Sequence, residues 1–261
     1  MESLIDENGN ETSSKEEVCR TAKSFYEKLL TEEPIDTEKL QREIGKHINK
    51  KLTNEDRDSI EGPFTKDEIM KAIKQMQNNK SLGLDALTRE FYVLMWDIIW
   101  KDLIDVITNI YFSDTMPKSW TEGLIVLIYI CKGDIQDLKN WRPITLLNTD
   151  YKIMTKALGN RLKKVSETLV NLDQACSIDK RNIHDQLYFI GEFLNYFKED
   201  KRTGMIIAID QEKALDRVNH TLLHKILEKF NFGPTSLDLF KTIYQKMTSG
   251  SVINGFITDS L

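Results

Sequence analysis

Hydrophobic positions recur at helical spacing through much of the chain. Ser14 and Glu17 stand at capping-box spacing, and Val18, Ala22, Phe25 and Leu29 follow on one face, predicting a helix that Pro34 ends. Residues 1–12 are polar and read as disordered; residues 35–62 are charged and read as linker plus a short helix. After Pro63, Thr65 and Glu68 repeat the capping-box spacing ahead of Ile69, Ala72, Ile73 and Met76, and this helix stops in a loop over 78–85. Phe91, Leu94, Met95, Ile98, Ile99 and Leu103 predict helix within 87–112. Leu124 to Ile130 is a β-branched apolar run between Gly123 and Gly133, a buried strand. Further helices are expected over 151–169, 183–197, from Asn219 or Thr221 to Phe230, and from about Ser236 to Met247. Met205–Ile209 and Ser251–Ile257 read as strands. Strands and helices mix without regular βαβ alternation, which predicts an α+β fold rather than a doubly wound sheet.

At 261 residues the chain has room for one large domain or two ordinary ones, and 40% hydrophobic with 30% charged residues excludes a disordered chain. No apolar run approaches the roughly 20 residues of a membrane span. The acidic start, Met1 to Asp6, is not a secretory signal. Cys19, Cys131 and Cys176 lie far apart in neither zinc nor disulfide spacing, so a reducing, intracellular compartment is expected, with nucleus and cytoplasm both open.

The net charge of −5 argues against a generic basic nucleic-acid binder, but it hides an asymmetry. Residues 1–62 hold 16 acidic and 10 basic residues, whereas residues 118–164 hold 9 basic against 4 acidic. Such a stretch can meet phosphates or simply be a solvated helix face.

Two segments carry candidate chemistry. Ile206 to Asp210, continuing through Gln211, Glu212, Lys213, Ala214, Leu215 and Asp216, reads as an apolar strand delivering a carboxylate to a sheet rim. A hard divalent ion suits that ligand type; a strand ended by a solvated Asp is the plainer alternative. Lys132-Gly133-Asp134, followed by Asn140-Trp141-Arg142-Pro143-Ile144, sets a Lys and an Arg around a turn after a strand. Arg gives a bidentate fork for phosphate and Lys a point charge; a hairpin with charged sides is the alternative.

Together these segments resemble the reverse transcriptase domain of non-LTR retrotransposons of the long interspersed element type. Asn79 to Asp85 is similar to the family's N-G-K-S-P-G-P-D, with Phe91-Tyr92 at the family's distance. Cys131 to Asp134 and Asn140 to Asn148 resemble K-K-G-D and N-W-R-P-I-S-L-L-N. Tyr151-Lys152-Ile153, Asn160-Arg161-Leu162, and Asp173-Gln174 with Arg181 resemble Y-K-I, N-R-L and D-Q-x-G-F-x-x-G-R. Asp210, Lys213-Ala214 and Asp216 match D-x-x-K-A-F-D. The resemblance covers about residues 60–261 and, less specifically, a helical lead-in over 15–62.

The resemblance implies a partial right-hand polymerase over 63–261, comprising fingers and the first half of the palm, preceded by an acidic helical lead-in over 1–62. It implies an RNA-directed DNA polymerase that meets an RNA template, a DNA primer and dNTP, with Mg²⁺ as cofactor and no membrane. Asp210 takes the position of the first catalytic, metal-binding Asp. Gln211 lies where backbone approaches the triphosphate, and Leu215 replaces the aromatic that packs on the incoming sugar. Lys132 and Arg142 match residues that grip the triphosphate. Asn160, Arg161, Lys163, Lys164 and Arg181 are expected toward template and primer. The family's R-Q-G-x-P-L-S-P and F-A-D-D segments are absent from these 261 residues. One carboxylate cannot hold two Mg²⁺ ions about 4 Å apart, so no polymerase activity is expected of this chain alone. The alternatives are a non-catalytic module that holds RNA or primer–template and a helical protein-interaction domain.

Overall fold

The computed structural model describes residues 3–31, 34 and 36–258. A short hairpin of β1 (Leu4–Ile5) and β2 (Glu11–Thr12) leads into α1 (Lys15–Leu30), α2 (Thr37–His47), α3 (Asn54–Ile60) and α4 (Lys66–Gln75). Then come α5 (Arg89–Leu94), α6 (Trp96–Ser113), α7 (Lys118–Thr121), β3 (Glu122–Tyr129) and β4 (Trp141–Leu146). The remainder is α8 (Thr149–Leu169), α9 (Ile183–Glu199), α10 (His220–Lys229), α11 (Pro234–Tyr244), β5 (Thr248–Ile253) and β6 (Phe256–Ile257). The α+β reading of the sequence holds.

Local signals place most helix starts. Thr65 and Glu68 close a complete capping box on α4, whereas Ser14 supplies only the side-chain half of one to Glu17 N–H on α1. Asn219 caps α10 by accepting from Leu222 N–H at 2.9 Å, and Pro234 opens α11.

One sheet has strand order β4-β3-β5-β6. β3 pairs antiparallel with β4, setting Ile128 opposite Arg142, and parallel with β5, setting Val126 opposite Val252. The larger core is helical and joins Ile69 and Ile73 of α4, Ile107 and Ile110 of α6, Ile153 and Met154 of α8 and Ile243 of α11. Leu52 and Ile60 share it. A smaller core unites Val18, Ala22 and Tyr26 of α1 with Leu4, Leu138 and Ile253.

Four expectations need correction. Residues 1–12 are not disordered where described: Leu4 is fully buried and Ile5 N–H donates to Gln136 O at 3.0 Å, so one apolar side chain and a backbone bond dock the hairpin (Met1 and Glu2 lie outside the described residues). The span 35–62 carries two helices, α2 and α3, with Ile35 outside the described residues. Most consequentially, Met205–Ile209 is not a strand: residues 203–211 form neither helix nor strand, and Met205, Ile207 and Ile209 are exposed. Apolar character predicts burial, but a strand also requires a ladder partner for its amides, and this sheet offers the segment none. Ser251–Ile257 likewise divides into β5 and β6 at Asn254-Gly255, both at positive φ (50° and 82°), the geometry of a tight primed hairpin turn. Among the described residues no helix is long and apolar enough to cross a membrane.

Candidate active site and nucleic-acid interface

The β3–β4 connection is tightly braced. Tyr129 Oη donates to Gly133 O at 2.6 Å, Asn140 Nδ2 to Asp134 O at 2.9 Å, and Trp141 Nε1 to Ile135 O at 2.8 Å. Gly133 has φ +82° and a Cβ there would meet Asn140 Nδ2 at 2.5 Å, so only glycine fits both the turn and the packing. From this frame Lys132 and Arg142 stand exposed, and neither side chain has a hydrogen bond or ion pair among the described residues. Arg142 shares the outer sheet face with Ile128 and Ile144, which are also exposed.

Asp210, Gln211 and Leu215 lie on an exposed stretch, with Leu215 91% accessible. Beyond it a turn over 212–217 is closed by Asp216 N–H donating to Lys213 O at 2.9 Å. This turn leans on α1: Lys213 Nζ sits 4.7 Å over the Phe25 ring, and Gln211 and Asp216 share a pocket with Lys28 and Leu29. Burial pushes the Lys213 ammonium below its usual range, against the pull of Glu212 and Asp216. Burial, then the Asp216 charge, pushes the Tyr26 phenol up. Asp137 in the β3–β4 connection also acts on Lys213, so the carboxylate stretch and the hairpin turn lie within electrostatic reach. Among the described residues no three His, Cys, Asp or Glu side chains come together where they could hold a metal ion. Asp210 by itself does not fit a two-ion centre.

The residues expected toward template and primer divide. Arg161 is 5% exposed and fully engaged: Nε and Nη2 each reach the Glu68 carboxylate at 2.7 Å, and Nη1 and Nη2 donate to Ile60 O, Gly62 O and Pro63 O. Its guanidinium also lies 4.2 Å over the Phe64 ring. That corrects its expected role, because no donor fork is left for phosphate. Arg181 likewise donates to the carbonyls of Asn171, Gln174, Glu167 and Val170, satisfying orphan carbonyls at the end of α8. Asn160 is half-buried, and its Nδ2 is buried and finds no partner among the described residues. Lys163 is exposed and pairs with Asp179 at 2.9 Å; Lys164 is exposed.

Sequence reasoning passes over a second group. Lys80, Arg89, Lys152 and Lys156 line one pocket with Ser81 and Thr149. A signal for it exists: Lys152 and Lys156 are spaced i, i+4 on α8, away from Ile153, Met154 and Ala157. Burial lowers the Lys152 ammonium, and Asp85 opposes that shift.

Residues 130–258 match the family model described as "Reverse transcriptase (RNA-dependent DNA polymerase)". The chain is 34% identical over 261 residues, 99% of its length, to "Transposon TX1 uncharacterized 149 kDa protein" of Xenopus laevis, covering 20% of that protein. It is 24% identical over 210 residues, 76% of its length, to "RNA-directed DNA polymerase from mobile element jockey" of Drosophila melanogaster, covering 23% of it. It is 25% identical over 114 residues, 44% of its length, to "Retrovirus-related Pol polyprotein from type-1 retrotransposable element R2" of Popillia japonica, covering 16% of it. The chain thus spans about a fifth of the length of these curated relatives.

Proposed function

We propose, on the premise that residues 130–258 belong to the reverse transcriptase family and that the chain is a stretch of a non-LTR retrotransposon polymerase, that it supplies fingers and the first palm element of an RNA-directed DNA polymerase. The division into an acidic lead-in over 1–62 and a polymerase segment over 63–261 belongs to the same reading. The observation that carries it is the braced β3–β4 hairpin holding Lys132 and Arg142 without partners of their own among the described residues. A planar fork and a point charge on a rigid hairpin suit a polyphosphate. Asp210 offers one carboxylate to a metal ion, with Gln211 and Leu215 beside the nucleotide. Further carboxylates are needed to hold the ion.

That shortage favours a second reading, in which these 261 residues hold RNA or primer–template without chemistry. Both readings are tested by titrating a labelled RNA/DNA hybrid at several salt concentrations. Binding is expected, with log K falling linearly against log salt. The same mixtures with Mg²⁺ and dNTP are expected to show no primer extension. Absence of binding at about 50 mM salt would overturn both readings. Primer extension by the chain alone would overturn the second.

A further inference from the structure

Helix α9 stands outside both cores. None of its 17 residues is buried, and neither core draws a side chain from it. Yet Ile183, Leu187, Ile190, Leu194 and Phe197 recur at alternating spacings of four and three. That is the seven-residue repeat of a coiled-coil seam, kept over two heptads. Phe189 and Phe193 stack beside the seam with ring centroids 6.3 Å apart, and the Phe193 ring lies 4.7 Å from that of Phe197. Ile183, Leu187, Phe189, Ile190, Phe193 and Leu194 are each 44–66% accessible. A helix in a single globular unit ordinarily turns such a stripe onto its own core.

Two observations narrow what covers it. The first is charge. Asp185, Glu192 and Glu199 recur every seven residues on the opposite face, and all three are exposed. An acidic back disfavours an anionic lipid surface or a phosphate backbone and leaves protein as the partner. The second is pattern. Knobs-into-holes packing needs a facing helix with the same repeat. Helices α1, α4, α6, α8 and α11 spend their apolar faces in the two cores, so α9 of a second copy supplies that facing helix.

The area is sufficient for such a contact. With about 150–250 Å² on a whole aromatic side chain and somewhat less on an aliphatic one, the six side chains expose on the order of 600 Å² per copy. Gly204 lies against the Phe197 ring, and Met205 and Ile207 beyond it are exposed. They extend the apolar surface toward the roughly 800 Å² per partner of a standard interface. We propose that two copies of this chain pair through α9, seam against seam, in an isologous contact about a two-fold axis. Each copy contributes one face of one helix, so the contact closes at two. The inference is independent of the polymerase reading, because none of Lys132, Arg142 and Asp210 belongs to α9.

Sedimentation equilibrium of the full chain over a concentration series tests it. The unaltered chain is expected to form a reversible dimer in the micromolar range, the weak end for an interface of this area, with a melting temperature that rises with concentration. L187E/L194E puts charges on the seam at positions exposed in the single chain. It is expected to weaken association at least about tenfold while still melting cooperatively. L187A/L194A adds no charge and is expected to weaken association too, which keeps the test open should the glutamates unfold the chain. E192Q, on the acidic back, is expected to pair as the unaltered chain does. A monomer at every concentration would overturn the proposal, as would association that continues past two copies. Equal association of the unaltered chain and L187E/L194E would place the contact elsewhere and overturn it. Loss of the dimer on extending the chain with the polypeptide that follows the matched stretch in the Xenopus laevis relative would give the face to an intramolecular neighbour, again overturning it.

Discussion

Replacing Arg161 by alanine is expected to cost the fold about 3–5 kcal/mol, the loss typical of a buried ion pair deprived of one partner. The variant leaves the Glu68 carboxylate and three carbonyls, of Ile60, Gly62 and Pro63, without their shared donor. It also removes the guanidinium stacked on Phe64. Urea unfolding measures the loss, and a midpoint equal to that of the unaltered chain would show that Arg161 is not structural. The same pair sets an acid limit. Burial pushes the Glu68 carboxyl up, but hydrogen bonds from Arg161 and from Thr65, with the Arg161 charge, outweigh it and hold the group at about 2 against an ordinary 4.5. A carboxylate depressed on folding contributes stability that is full above its unfolded value and disappears as pH falls through the folded one. Stability is therefore expected to decline between about pH 4.5 and 2, and the Arg161→Ala variant to decline less over that window.

Gly83→Ala is expected to be the most damaging single methyl group in the α4–α5 loop. A Cβ there would lie 2.1 Å from Asn148 Oδ1, 2.5 Å from Asn148 N and 2.6 Å from its Cα. A side chain can move aside, but the backbone at the start of a 21-residue helix cannot do so cheaply. The displacement would also disturb Asp85 N–H donating to Asn148 Oδ1 at 3.3 Å and Asn148 Nδ2 donating to Ser119 O at 2.9 Å. Overpacking of this type costs about 1–3 kcal/mol, more where the neighbour is backbone. A drop in melting temperature would report it; a variant melting with the unaltered chain would show that the loop is not seated on α8.

Features written in neighbouring residues are legible in the amino-acid sequence by itself. The Thr65–Glu68 box and the β-branched run of β3 declare themselves within a few positions. The wording around Lys132 and Arg142 carries the family resemblance, and the geometry places both on one hairpin. Arg161 is not legible. In sequence it is one basic residue among several on α8, and only the carbonyls of 60–63, about a hundred positions earlier, reveal that it is buried and spent. The segment leading to Asp210 misleads for the opposite reason. Its apolar pattern reports a preference of side chains, whereas strand geometry depends on a partner backbone elsewhere. Lys152 and Lys156 are visible as a helical pair, but nothing local tells that Lys80 and Arg89 face them.

The irregular stretch over 203–211 also makes the molecule divisible. On its far side, α10 packs with α2, α11 packs with α6, and β5 pairs directly with β3. The polypeptide link is therefore not what keeps those elements in place. Trypsin acting at Lys201 or Arg202, both exposed, would leave two pieces joined through a shared sheet and a shared helical core. Expressed as separate polypeptides, such halves become a complementation pair: each incomplete by itself, and reporting its partner's presence by completing the sheet.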